Sequence, residues 1–336
     1  MTDRATLASL PAGLSTAADA AARGLERSLG GPRPAPSQTF LVGTRDGVRV
    51  EADAFLPAGR PPVAKLLVAP AMGVRRQFYS AFAAEMAAHG VATMTFDYRG
   101  IGGSRKGPVG EAEARLALWG EQDMAAATRE LEFLLADDDP RHAKLPLLFV
   151  GHSIGGQLFG LMNDPPYRSA LLVGAQSGHW RDWDGAAKAA LAALWYVGVP
   201  ALTYAFGYLP MNALGQGEDL PRGVAYDWAR WGRHPAALDR RVAERPDAGY
   251  RRWAGKLRAI AIADDAYAPP RGVAALAGRY RAAERELVTV RPGDLGVKGV
   301  GHFGWFKSHF RTTLWADARR WLLASAGVNT SGSGPS

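Results

Sequence analysis

The segment Gly151-His152-Ser153-Ile154-Gly155-Gly156 has the spacing G-x-S-x-G. That spacing suits a strand that turns sharply into a helix and lifts one hydroxyl clear of the sheet. The residues two before and two after the serine lie close together in such a turn, so both must be small; here they are Gly151 and Gly155. The Ser153 hydroxyl then sits at a helix N-terminus, where the positive end of the helix dipole favours a developing anion. The implied chemistry is nucleophilic attack on a carbonyl. A serine hydroxyl is a poor nucleophile at its free pKa, so it needs a base, and the base needs a third group to hold it. In a strand–turn–helix site of this kind the partners follow in chain order, acid before histidine.

The sequence offers both. Gly301-His302-Phe303-Gly304 comes after a strand-like run at 286–290 and a glycine-rich loop. A histidine between glycines on a loop can swing to meet a serine, so His302 is the candidate base. His309 falls within the last helical segment, His152 lies in the turn itself pointing away from where a base must stand, and His89, His142 and His234 sit at helix ends or loops. His179 opens an aromatic-rich segment and reads as a surface residue. Asp264 and Asp265 follow a strand-like run at 257–263, so both carboxylates emerge at a strand end, and the residues leave the choice between them open. A tetrahedral intermediate also needs two backbone donors for its oxyanion. One is the N–H of Ile154, which follows the nucleophile. The other belongs to the loop after the third strand, residues 70–74, where Met72 is the candidate.

The elements that must position these groups alternate along the chain. Runs at 40–44 and 48–56 flank Asp46-Gly47, a hairpin signal. Almost wholly apolar runs at 65–71, 91–96, 145–150 and 170–174 read as strands, and helical periodicity marks 77–89, 119–136 and 154–162. The alternation resumes with strand 257–263, helix 272–281, strand 286–290 and helix 305–323. Continuous apolar strands separated by helices predict parallel pairing with both sheet faces covered. The expected organisation is an N-terminal tail at 1–37, a core at 38–175 and 256–327, an inserted segment at 176–255 and a C-terminal tail at 328–336.

Composition narrows the function classes. The chain has 336 residues, 47% hydrophobic and 21% charged, which excludes a mainly disordered or fibrous protein. It has no cysteine, which excludes a disulfide scaffold, a thiolate metal site and a cysteine nucleophile. The formal charge is +8, but only 7 of the 40 basic residues are lysine and they never stand more than two together. An Ala-, Arg-, Gly- and Pro-rich chain reflects GC-rich coding, so nucleic acid is not an expected partner. No ligand-spaced cluster, P-loop or dinucleotide fingerprint is present, and neither a metal nor a cofactor is expected. No apolar run near the N-terminus is long enough for a secretory signal, so a cytoplasmic location is expected.

Residues 189–217 carry no charge. Their length matches a membrane span, but Gly198, Pro200 and Gly207 interrupt them, and a span would split the two halves of one sheet. They read as helices packed over the core, with docking at a membrane surface the second reading.

The elbow, the acid–histidine order and Asp97-Tyr98-Arg99-Gly100-Ile101-Gly102-Gly103-Ser104 together resemble the α/β-hydrolase superfamily. The last of these resembles the D-x-R-G-x-G-x-S turn of its monoglyceride-lipase and serine-aminopeptidase-like branch, with Asp97 and Arg99 in structural roles. The likeness spans residues 40–325 and extends to bacterial hydrolases of unassigned substrate. Where members often carry His-Gly before the oxyanion donor, this chain has Pro70-Ala71. The resemblance implies an eight-stranded, mostly parallel α/β fold with an inserted, mainly helical cap at 176–255. It also implies that the acid is Asp265, four residues before Pro269.

The inserted segment holds six of the ten tryptophans, with further tyrosines and a phenylalanine. Aromatic groups suit an acyl or aryl ligand, so Trp180, Trp195 and Tyr204 are candidate pocket residues. The expected activity is hydrolysis of a small-molecule carboxylic ester through a Ser153–His302–Asp265 triad. An amidase or aminopeptidase, an acyltransferase and a non-catalytic binding protein are the alternatives. An aminopeptidase would also need a cap carboxylate for the substrate ammonium, with Glu218, Asp219, Asp227 and Glu244 available. The oligomeric state is not legible.

Overall fold

A computed structural model describes residues 34–328. The expected tails at 1–37 and 328–336 therefore lie almost wholly outside the described residues.

Eight strands form one sheet: β1 (Gln38–Gly43), β2 (Arg49–Phe55), β3 (Ala64–Ala69), β4 (Val91–Phe96), β5 (Leu147–His152), β6 (Ser169–Val173), β9 (Lys256–Ile262) and β10 (Glu284–Val290). Their order is β1-β2-β4-β3-β5-β6-β9-β10. The β1–β2 hairpin joins β4 antiparallel, and the pairs from β4 to β10 are parallel. Every residue of β3, β4, β5 and β6 is buried. The alternation of side chains explains how: Leu67, Ala69 and Phe149 face one core, while Leu66, Val68, Leu148 and Val150 face the other. With apolar layers on both faces, these strands are nearly all apolar, as the sequence predicts, and the few polar side chains they hold, such as Thr93 and Thr95, are buried with them.

The helices depart from the predicted segments in detail. The segment at 77–89 begins as a 3-10 turn at Arg76–Tyr79 before the helix Ser80–Ala88. The segment at 119–136 opens with a π-helical turn at Trp119–Met124 and continues as Ala125–Phe133. The last segment, at 305–323, is broken into two irregular turns at Ser308–Phe310 and Arg311–Trp315 and the helix Ala316–Ser325.

Between β6 and β9 the chain leaves the sheet. It forms helices at Arg222–Arg233 and Pro235–Ala243, and a two-residue ladder of β7 (Tyr208–Leu209) with β8 (Leu220–Pro221). The charge-free run is one helix, Gly185–Phe206, not two. A π-helical turn at Leu194–Gly198 carries it past Gly198 and Pro200, because the looser turn accommodates the N–H that proline lacks. The helix ends at Gly207, in the left-handed region at φ +78°. It is long and apolar enough to cross a membrane, and only 17% of its most apolar stretch is buried. The run packs over the core by part of its surface, with Trp195 and Val199 in the apolar cluster beneath it, and the correction is that it is one helix and not two. One face packs inward, and Tyr196, Val197, Tyr204 and Phe206 are exposed. Because β6 before it and β9 after it pair side by side, both flanks of the helix belong to one sheet.

Candidate active site

Ser153 stands between β5 and the helix Ile154–Phe159, with φ 53° and ψ −118°. A left-handed φ is strained for a residue with a side chain, and such strain marks turns that the surrounding structure holds in place. The small neighbours hold it here. A Cβ on Gly151 would lie 2.6 Å from the Gly156 Cα, and one on Gly155 would lie 2.4 Å from the Ala69 carbonyl oxygen. Both distances are too short for real atoms, so a side chain at either position would push the turn apart.

His302 lies in the one-turn helix Gly301–Gly304, not in an open loop. Its Nδ1 is 2.7 Å from Asp265 Oδ2, with both side chains buried. The other carboxylate oxygen of Asp265 accepts the Tyr267 and Ala268 N–H groups at 2.8 and 3.0 Å. With a carboxylate as acceptor the Nδ1 carries the proton, which leaves Nε2 as the free base. Asp264 has a different task. It accepts the Val300 N–H at 2.8 Å and the Gly301 N–H at 3.1 Å, and so ties down the turn that carries His302. Asp265 thus faces the imidazole and Asp264 faces the backbone of the turn.

Ser153 and His302 line the same cavity, of about 360 Å³. Among the described residues the Ser153 hydroxyl makes no hydrogen bond; in unliganded hydrolytic sites the nucleophile–base contact is often loose. Met72 and Ile154 line the cavity beside them. Among the described residues neither of their N–H groups is used in a backbone hydrogen bond, so both are available as donors.

The rest of the cavity wall comes mainly from the inserted segment: Leu191, Trp195, Val199 and Leu202 from the exposed helix, and Trp183 and Trp228 beside them. Positions 191, 195, 199 and 202 recur at helical spacing, so one face of that helix looks into the cavity. Trp195 therefore lines the cavity. Tyr204 and Trp180 do not, and both expectations are corrected. Tyr204 follows Trp195 by nine residues, half a turn out of phase, and is 79% exposed. Trp180 is half-buried at the start of the segment, beneath Arg181 and Lys188.

Two kinds of residue were missed in the sequence. Trp183 and Trp228 differ from Trp180 and Trp231 of the inserted segment in facing the cavity. Gly174, at the end of β6, has φ +56°, and a Cβ there would lie 3.1 Å from Asp265 Oδ2 and 3.2 Å from His302 Nδ1. The acid–base pair rests on that glycine; a glycine closing an apolar strand run was the available signal. The turn residues Asp97 and Arg99 are buried and paired, as expected of structural groups. Asp97 accepts the Arg76 and Gly103 N–H groups at 2.7 and 2.9 Å, and Arg99 bridges Asp123 and Asp46.

With this geometry in view, the comparisons with known proteins bear on the fold. Residues 60–217 match the family model described as serine aminopeptidase, S33. That match covers just under half of the chain, and the order of the sheet together with the likeness to solved structures shows an α/β-hydrolase fold. Its fold is similar to that of a soluble variant of monoglyceride lipase from Saccharomyces cerevisiae, with 14% identity, TM-score 0.58, and 88% of this chain and 99% of that one covered. It is also similar to a thermophilic esterase from Thermogutta terrifontis, with 15% identity, TM-score 0.52, and 86% and 100% covered. A thermostable carboxyl esterase from Bacillus coagulans is 13% identical at TM-score 0.53, with 86% and 98% covered. No match is found among curated proteins.

Proposed function

We propose that this protein is a serine hydrolase acting on small carboxylic esters with an apolar acyl or aryl group. Ser153 Oγ attacks the ester carbonyl and passes its proton to His302 Nε2. Asp265 holds the imidazole in the tautomer that leaves Nε2 free. The Met72 and Ile154 N–H groups receive the oxyanion, each such donor contributing about 10²–10³ in rate. The tetrahedral intermediate collapses, the C–O bond to the alcohol breaks, and His302 returns the proton to the leaving oxygen. Water repeats the sequence on the acyl-enzyme and releases the acid.

The observation that carries the ester reading is the cavity's chemistry. Beyond Ser153 and His302 its polar lining is Gln157, Gln176, Gln216 and the Tyr267 side chain, and among the described residues no carboxylate faces it. The S33 match raises an aminopeptidase, which needs a negative group for the substrate ammonium. The four candidate acids named above are engaged elsewhere or point away. Glu218 pairs with Arg75, Asp219 accepts the Asn212 N–H, Asp227 pairs with Arg115, and Glu244 is exposed. An ammonium would be desolvated against tryptophan and leucine without a partner.

A panel of p-nitrophenyl esters of increasing acyl length tests the proposal, with Ser153→Ala as control. We expect saturable turnover that rises with apolar acyl size to an optimum and is lost in the variant. Equal turnover by the variant, or faster cleavage of aminoacyl anilides than of every ester, would overturn it.

A further inference from the structure

His152, the residue before the nucleophile, is fully buried, and every polar atom of its ring has a partner. Its Nε2 is 3.0 Å from the backbone carbonyl oxygen of His302. A carbonyl only accepts, so Nε2 carries the proton. Its Nδ1 is 2.8 Å from the Tyr79 hydroxyl, which in turn accepts the Ala71 N–H at 2.8 Å. Burial, together with the neighbouring His302, pushes the His152 imidazole well below the usual histidine range and keeps it neutral. The directions of all three bonds are then fixed. Ala71 N–H donates to Tyr79, Tyr79 O–H donates to His152 Nδ1, and His152 Nε2–H donates to the His302 carbonyl.

Each anchor lies one residue from a group of the proposed machinery, or is part of it. His152 precedes Ser153, Ala71 precedes Met72, and the carbonyl belongs to His302 itself. The ring is walled by Phe306 and Phe303, with centroids 4.9 and 5.6 Å away, which keeps water from replacing either bond.

We propose that His152 is a positioning residue: with Tyr79 it clamps the backbone of the base to the loop that supplies the oxyanion donor, and so sets the spacing between His302 and the Met72 N–H. The inference rests on the roles proposed above for Ser153, His302 and Met72. It makes the first x of this G-x-S-x-G turn a chemical requirement of the chain, not a filler.

The test is the rate constant for phosphonylation of Ser153 by a fluorophosphonate, expressed per site finally labelled. It is measured for the wild type, His152→Met, His152→Gln, Tyr79→Phe and the Tyr79→Phe/His152→Met double variant. Methionine fills the space without donating or accepting usefully, whereas glutamine offers an acceptor and a donor at the separation of the two ring nitrogens. Displacements of about 1 Å in such sites cost about 10²-fold. We expect His152→Met and Tyr79→Phe to lose about 10–100-fold, glutamine to recover most of that loss, and the double variant to be no slower than the slower single one. A merely structural role would lower the melting temperature and the labelled fraction but leave the rate per labelled site unchanged. That result, a glutamine variant no better than methionine, or additive losses would overturn the proposal. If His152→Met does not fold, Tyr79→Phe, which deletes a single oxygen, decides alone. A wild type that is not labelled at Ser153 would instead refute the catalytic reading on which the proposal stands; a labelled wild type with unaffected variants refutes the clamp only.

Discussion

Two adjacent aspartates do different work at this site, and the difference is measurable. Asp265 faces the imidazole, so Asp265→Asn would present an amide where a carboxylate must hold the proton on Nδ1. A loss of about 10³–10⁴ in kcat is expected, as for the same exchange in other triads. Asp264 touches only backbone N–H groups, and asparagine keeps one of the two acceptors. Asp264→Asn should cost about tenfold through the placement of His302. Steady-state kinetics of the two variants check this, and the reverse ranking would exchange the roles. At this scale the sequence was legible wherever chemistry requires a residue type. Ser153, His302 and the Asp264–Asp265 pair stand out by motif and chain order. Gly174 did not, because its requirement is the absence of a side chain beneath the acid–base pair, and only the packing shows that.

Among the elements, the hairpin and the turn after β4 are joined by Arg99, which bridges Asp46 and Asp123. The Arg99 guanidinium holds the Asp46 carboxyl at about 2, below its ordinary 3.8. A depressed folded-state pKa gives stability that is complete above 3.8 and lost as the pH falls through 2. Melting temperatures of wild type and Asp46→Asn should therefore differ at neutral pH and converge toward pH 2; a constant gap would contradict the ion-pair account. On the cap, Trp195→Ala should cost about 3 kcal/mol of stability and move the acyl-length optimum upward by deepening the cavity. Thermal unfolding and the ester panel read these two effects. The strands were legible because burial on both faces leaves an unbroken apolar run. The helix Gly185–Phe206 was legible as an uncharged run but not as one element, since Gly198 and Pro200 are breakers unless a π turn absorbs them. Its phase was also hidden. A face that lines a cavity and a face that meets solvent carry the same residue types here, so Trp195 could not be told from Tyr204.

Across the whole molecule, the sheet supplies the reacting groups and the inserted segment supplies the apolar wall of the cavity that encloses them. The proposed chemistry involves no group that distinguishes one ester from another, so on this account selectivity arises from that wall. With no carboxylate on it among the described residues, aminoacyl p-nitroanilides should be cleaved at least about 100-fold less efficiently than the best p-nitrophenyl ester, because an unpaired buried ammonium costs several kcal/mol. Comparison of kcat/KM values on the same enzyme preparation checks this, and parity would reinstate the peptidase reading. The net positive charge takes no part in the account; many of the arginines are tied into ion pairs such as Arg76 with Asp97 and Arg258 with Glu286. The central claim is an activated serine at position 153. The most direct measurement is mass spectrometry of the protein after reaction with a fluorophosphonate, with the adduct mapped to a peptide and Ser153→Ala run alongside. A single adduct on Ser153, absent from the variant, is the predicted result. A folded protein that takes up no label, or that is labelled elsewhere with Ser153 untouched, would contradict the account.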